Sequence, residues 1–234
     1  MQLLLLPGMD GTGRLFGPLI EVLPTSLPAR VVSYPTDAPL GYDGLLPIME
    51  AAAKELGEFV VVGESFSGPL ALMLAARRPV GLRGVVLCVS FVRGPWRWVA
   101  MWGRFARPWV FRVTPFGLIR LALLGRYRRG AIGDELCAAV RAVSPGVMAA
   151  RARAIAKVDV TRELRECPAP VMYLQAEQDR VTPGRSAGLV RSIRPDVEVV
   201  VLPGPHLILQ TAPIGAARIL TSFCQRVGAS ASRL

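Results

Sequence analysis

The sequence predicts an α/β fold: an open, mostly parallel sheet of about six strands with helices on both faces. Short apolar runs of strand length alternate along the chain with longer stretches of helix length. The strand-length runs are near-continuous in apolar residues, the pattern of strands covered on both sides rather than one. One long block, between Phe91 and Pro170, breaks the alternation.

The expected strands are Gln2–Leu6, Arg30–Tyr34, Phe59–Gly63, Gly84–Phe91, Pro170–Ala176 and Val197–Leu202. Helices are expected at Arg14–Leu23, Asp43–Leu56, Gly68–Arg77, Pro183–Arg194 and Pro213–Val227. The opening MQLLLLPGMDG has only four leucines, no basic flank and a Pro-Gly directly after. It reads as a buried strand rather than a signal peptide. The interrupting block is helical in character and broken by Pro95, Pro108, Pro115 and Pro145. A strand-to-helix connection is normally short, so this block is expected to be an inserted helical cap. The expected division is a core of residues 1–91 and 168–234, with the cap at 92–167.

With 234 residues, 52% of them hydrophobic and 19% charged, the chain has a globular composition and enough length for one full core. No stretch approaches the roughly 18 continuous apolar residues of a membrane span. Cys88, Cys137, Cys167 and Cys224 form no CxxC pair, which suggests reduced thiols and a cytoplasmic protein. The net charge of +11 invites a nucleic-acid or membrane reading. All but two of the 28 basic residues are arginine, however, in a chain rich in Ala, Gly, Pro, Leu and Val. That pattern suggests coding bias, so the placement of charge carries more information than its total.

Gly63-Glu64-Ser65-Phe66-Ser67 lies between an expected strand and an expected helix. Its near match to G-x-S-x-G suggests a tight turn presenting Ser65 as a nucleophile. Ser67 stands where the second glycine usually falls. On this motif alone, an ordinary strand-to-helix junction with a capping serine is the alternative. A serine nucleophile needs a base, and His206 is the chain's only histidine. It sits in LPGPHLIL, just past the last expected strand. Asp179, in YLQAEQDRVTP, follows the strand before it and is the candidate acid to orient His206. Glu177 and Asp159 are weaker candidates, the first too near its strand and the second at the wrong end of it. The glycine-rich turn Pro7–Gly13 follows the first strand and fits neither phosphate-loop spacing. It would offer the Met9 amide, with that of Phe66, to an oxyanion. Neither a metal-ligand cluster nor a cofactor motif is present, so no cofactor is expected.

Through LLPGMDGTG, VVVGESFSG, EQDRVTP and GPHLIL, in that order, the sequence resembles the α/β-hydrolase superfamily over essentially its whole length. The resemblance implies a minimal α/β-hydrolase fold, because the family's usual leading hairpin is missing ahead of the first strand. It also implies serine carboxylesterase or acyl-hydrolase chemistry, with Ser65, Asp179 and His206 as triad and Met9 and Phe66 as oxyanion donors. An acyltransferase using the same triad is the alternative.

All four tryptophans fall in the expected cap, as do nine arginines, with no acidic residue, between Arg93 and Arg129. Trp96, Trp102, Phe105 and Trp109 are candidates for an acyl pocket. Arg93, Arg97, Arg104 and Arg107 are candidates for meeting an anionic group, and Arg141, Arg151 and Arg153 would extend the basic surface. The cap is similar to that of biotin-pathway esterases that cleave pimeloyl-carrier methyl esters. PGMDGTG and GESFSG also resemble esterases and acyltransferases of diacylglycerol or phytyl substrates. The expected partners are therefore an acyl ester, free or on an acidic carrier protein, or a membrane surface. Nucleic-acid binding would leave the placement of Ser65, Asp179 and His206 as coincidence.

Overall fold

The computed structural model describes residues 1–94, 106–127, 129–182 and 184–231. Its strands are β1 (Gln2–Leu6), β2 (Ala29–Val31), β3 (Phe59–Glu64), β4 (Leu82–Cys88), β5 (Val171–Ala176) and β6 (Glu198–Leu202). They form one six-stranded parallel sheet in the order β2-β1-β3-β4-β5-β6. The first half carries α1 (Gly17–Val22), α2 (Tyr42–Lys54) and α3 (Gly68–Ala76). Between β4 and β5 come α4 (Pro108–Val113), α5 (Phe116–Leu124), α6 (Ala131–Arg141), α7 (Pro145–Lys157) and α8 (Thr161–Arg165). The chain then adds α9 (Arg185–Ile193), α10 (Ile208–Thr211) and α11 (Pro213–Ala231).

Side chains alternate across a strand, so each central strand feeds two cores. Leu4, Leu6, Val61, Val85 and Leu87 pack with Leu45, Met49, Leu70, Leu74, Leu164 and Val190 from α2, α3, α8 and α9. Leu3, Leu5, Val60, Val62 and Val86 pack with Leu19 of α1 and with Ala216, Leu220 and Phe223 of α11. Both residue parities are therefore buried, which is why the strand sequences are apolar throughout. Helix α3 is buried nearly all round, matching its composition GPLALMLAA. Pro69 is tolerated there because the first turn of a helix has no amide partner to lose.

Two strands end earlier than their apolar runs suggest. β2 stops at Val31, and the chain turns away so that the Tyr34 amide donates to the Gly11 carbonyl at 2.7 Å. β4 stops at Cys88 because Val89 adopts φ 45°, a conformation that a β-branched residue rarely takes. The expected helix at Arg14–Leu23 is a 3₁₀ turn, Arg14–Phe16, followed by α1.

Where the chain leaves the sheet and returns, Arg93 and Asp159 pair as an isolated antiparallel bridge. Their side chains form a half-exposed ion pair of 2.9 Å, worth about 1 kcal/mol at most. Ser144 caps α7 by accepting from the Val147 amide at 3.2 Å, with Pro145 in the first turn. Among the described residues no helix is long and apolar enough to cross a membrane.

Candidate active site

Every element of the site sits at the carboxyl edge of the sheet. Ser65 follows β3 with φ 50°, a left-handed conformation that a non-glycine residue adopts at a cost. Gly63 makes the turn sterically possible. A Cβ there would lie 2.7 Å from the carbonyl carbon of Ser67. The Ser90 hydroxyl donates to the Ser65 carbonyl at 2.6 Å, holding the strained residue from the β4 side.

Ser67, in the place of the usual glycine, is a structural tie. Its hydroxyl donates to the Pro7 carbonyl, so the 2.6 Å contact with the Tyr34 hydroxyl must have Tyr34 as donor. Burial raises the Tyr34 pKa well above the ordinary phenol value and keeps that proton in place. Phe66 stacks on Tyr42 with ring centres 4.6 Å apart, and the Tyr42 hydroxyl donates to the Phe66 carbonyl at 3.0 Å. The turn after β3 is thus bonded to the loop after β1.

Asp179, on the loop after β5, accepts the Val181 and Thr182 amides on Oδ1 at 2.8 and 2.9 Å. Thr182 in turn donates its hydroxyl to the Val89 carbonyl at 2.9 Å. His206, on the loop after β6, is buried, with Nδ1 2.9 Å from both Asp179 carboxylate oxygens. Its Nε2 lies 2.8 Å from Ser65 Oγ. A carboxylate can only accept, so Nδ1 carries the proton and Nε2 is left free to accept from the serine hydroxyl. The arrangement can deprotonate Ser65 as its oxygen attacks.

Ser65 and His206 lie in the wall of a cavity of about 500 Å³ that also includes Gly8, Met9 and Phe66. The cavity is roofed by Phe111, Ile119, Leu123, Leu136, Val140 and Met148 from the helices between β4 and β5. Among the described residues the Met9 amide, at the cavity wall, donates to no backbone carbonyl.

The pocket-lining expectations fare less well. Trp109 is 63% exposed and does not line the cavity. Phe111, two residues on, does so instead, because a helix carries that position to the opposite side. Arg93 is paired with Asp159, and Arg107 is exposed, so neither reaches the cavity. Trp96, Trp102, Phe105, Arg97 and Arg104 lie outside the described residues. Arg180, next to Asp179 in EQDRVTP, also lines the cavity, although nothing in the sequence assigned it a role. Arg151 belongs to the interior rather than the basic surface: it is wholly buried. Arg153 donates to the Ala106 carbonyl at 2.8 Å. No group of three or more His, Cys, Asp or Glu suited to a metal occurs among the described residues.

Glu64, beside the serine, is buried and lines the cavity. Burial raises its pKa to about 7, against a 2.9 Å bond from Gln210 and the attraction of a protonated His206. The folded chain therefore holds this proton at pH values where the unfolded chain, near 4.5, has released it. Its stabilising contribution is full below about pH 4.5 and is lost as pH rises through 7. Glu64→Gln removes that dependence. Between pH 5 and pH 8 the variant is expected to gain about 2–3 kcal/mol on the parent in denaturant unfolding. Parallel pH profiles for the two proteins would contradict this.

A single parallel sheet with a strained strand-to-helix serine turn, under helices inserted between its fourth and fifth strands, defines an α/β-hydrolase architecture. The alpha/beta hydrolase family model matches residues 3–218, and the chain belongs to that family. Among solved structures it is similar to a thermophilic esterase from Thermogutta terrifontis, at 19% identity and TM-score 0.80, over 97% of this chain and 90% of that one. It is similar also to a hydrolase from Oleispira antarctica, at 13% identity and TM-score 0.79, over 96% and 90%. The enol-lactonase of Burkholderia xenovorans LB400 aligns at 14% identity and TM-score 0.73, over 96% and 91%. No curated protein matches the sequence.

Proposed function

We propose that the protein is a serine hydrolase that cleaves carboxylic esters of apolar acyl groups through Ser65, His206 and Asp179. The observation that carries this is the continuous line of contacts Ser65 Oγ–His206 Nε2 at 2.8 Å and His206 Nδ1–Asp179 at 2.9 Å, opening into an apolar cavity. Ser65 Oγ attacks the ester carbonyl while Nε2 takes its proton, and Asp179 stabilises the imidazolium that forms. The carbonyl oxygen becomes an oxyanion facing the Met9 and Phe66 amides, each worth about 3 kcal/mol to the transition state. His206 then protonates the departing alcohol, leaving an acyl-enzyme on Ser65. Water, deprotonated by His206, releases the acid and restores the serine.

The cavity favours an acyl chain over acetate. Its roof is aliphatic and aromatic, and a hydrocarbon tail gains about 0.8 kcal/mol for each methylene buried. Trp109, Val113 and Leu118, exposed beside Arg107 and Arg112, give the outer face of α4 and α5 an apolar and basic character suited to an anionic acyl donor.

A fluorophosphonate should label the protein on the peptide containing Ser65, as read by mass spectrometry. A panel of p-nitrophenyl esters should show kcat/KM rising by roughly fourfold per methylene until the cavity is filled. Label found only on another residue, or a panel flat in chain length, would count against the reading.

A further inference from the structure

Arg151 is wholly buried, yet it is a cation bonded to backbone carbonyls rather than a core hydrophobe. It comes from α7, in the insertion, and its guanidinium passes behind the Pro7–Gly13 loop. Nη1 donates to the Met9 carbonyl at 2.9 Å and to the Asp10 carbonyl at 2.8 Å. Nη2 donates to the Pro35 carbonyl at 2.9 Å, and the guanidinium lies 5.5 Å from the Tyr34 ring centre. Gly11 leaves it room, since a Cβ there would fall 2.6 Å from Nη1. Among the described residues it makes no ion pair with a carboxylate, the Asp10 carboxylate acting on it only at longer range, and Nε has no partner. Taking such a cation out of water costs several kcal/mol, and apolar replacements of buried ionic groups are often as stable.

What the guanidinium holds are peptide planes. The Asp10 carbonyl shares its plane with the Gly11 amide, so gripping one aims the other. The Gly11 amide donates to the Gly8 carbonyl at 3.0 Å. That carbonyl shares its plane with the Met9 amide, which therefore points the opposite way. Two rigid planes thus link the guanidinium to the Met9 N–H, while the Met9 carbonyl is held by the same Nη1.

We propose that Arg151 is a positioning residue that aims the Met9 amide at the oxyanion, so that the inserted helices set the catalytic power of the core. The proposal rests on the assignment of Ser65 and Met9 above. Arg151 touches no reacting atom. It acts through the loop, and a displacement of α7 would be felt in transition-state stabilisation before it was felt in substrate binding.

The test compares wild type with Arg151→Lys and Arg151→Met, using ester kinetics and an aliphatic trifluoromethyl ketone. This ketone adds to a serine nucleophile and leaves an oxyanion in place. In both variants kcat should fall on the order of 10²-fold, the cost of a misplaced catalytic group, with KM within about threefold. Ketone affinity should fall in step with kcat/KM, and Arg151→Lys should retain more of both than Arg151→Met. Hydrogen exchange should quicken in residues 8–13 but not in residues 63–70. A kcat within threefold of wild type, or unchanged ketone affinity, would assign Arg151 to packing alone and overturn the proposal. So would failure of both variants to fold. A wild-type enzyme that does not take up the ketone at Ser65 would instead remove the underlying assignment, and that measurement comes first.

Discussion

Ester turnover by Ser65→Ala is expected to fall by about 10⁶-fold, to what binding and the oxyanion amides supply without a nucleophile. The fold should survive the change. Among the described residues Ser65 Oγ makes one hydrogen bond, to His206, and the strained backbone is held by Gly63 and Ser90 rather than by the serine side chain. The loss should therefore appear in kcat with little movement of the thermal midpoint. Fluorophosphonate labelling should vanish with it. Ser67 offers no substitute nucleophile, because it is wholly buried and its hydroxyl is already committed to Pro7 and Tyr34. Labelling that persisted in Ser65→Ala would dismiss the assigned nucleophile.

Asp179→Asn should cost about 10⁴-fold in kcat. The local bonding fixes how the asparagine will sit. Oδ1 accepts two backbone amides, from Val181 and Thr182, and only an oxygen can do that. The new amino group must then occupy the other position, against His206 Nδ1. A donor there leaves the Nδ1 proton only Oδ1, at 2.9 Å and already shared with two amides, and so favours the tautomer with the proton on Nε2, where it opposes the serine hydroxyl. The geometry is retained but the tautomer is wrong. A variant keeping more than a tenth of wild-type kcat would mean that another group orients His206. Glu177, the nearest alternative in sequence, is exposed and ill placed for that task.

Much of this was legible in the chain because it follows from local rules. The apolar runs marked all six strands: the central four are largely buried on both faces, and the part-exposed edge strands β2 and β6 still carry runs of valine. Ser65, Asp179 and His206 could be picked out because each directly follows a strand, and topology alone carries such positions to one edge. The ends of β2 and β4 were not legible, since they depend on where Tyr34 finds the Gly11 carbonyl and on the left-handed Val89. Trp109 and Arg151 show the limit more sharply. Composition suggested an aromatic for the pocket and an arginine for the surface, yet the structure exposes the tryptophan and buries the arginine. Neither outcome is encoded in helical periodicity alone. Each depends on how a helix rotates against a loop far away in sequence. A signal for Ser67 was present in the departure from G-x-S-x-G, but its partners, Pro7 and Tyr34, come from other segments.

The bond between Ser65 and His206 joins positions 141 apart in the chain, and Arg151 reaches across 142 to Met9. No continuous fragment holds the chemistry. If Ser65 and His206 act as proposed, a ribosome must release β6 and the loop beyond it before the serine meets its base. On the proposed triad, ester turnover therefore reports chains whose last strand has docked, and a nascent chain still short of His206 carries no base for Ser65.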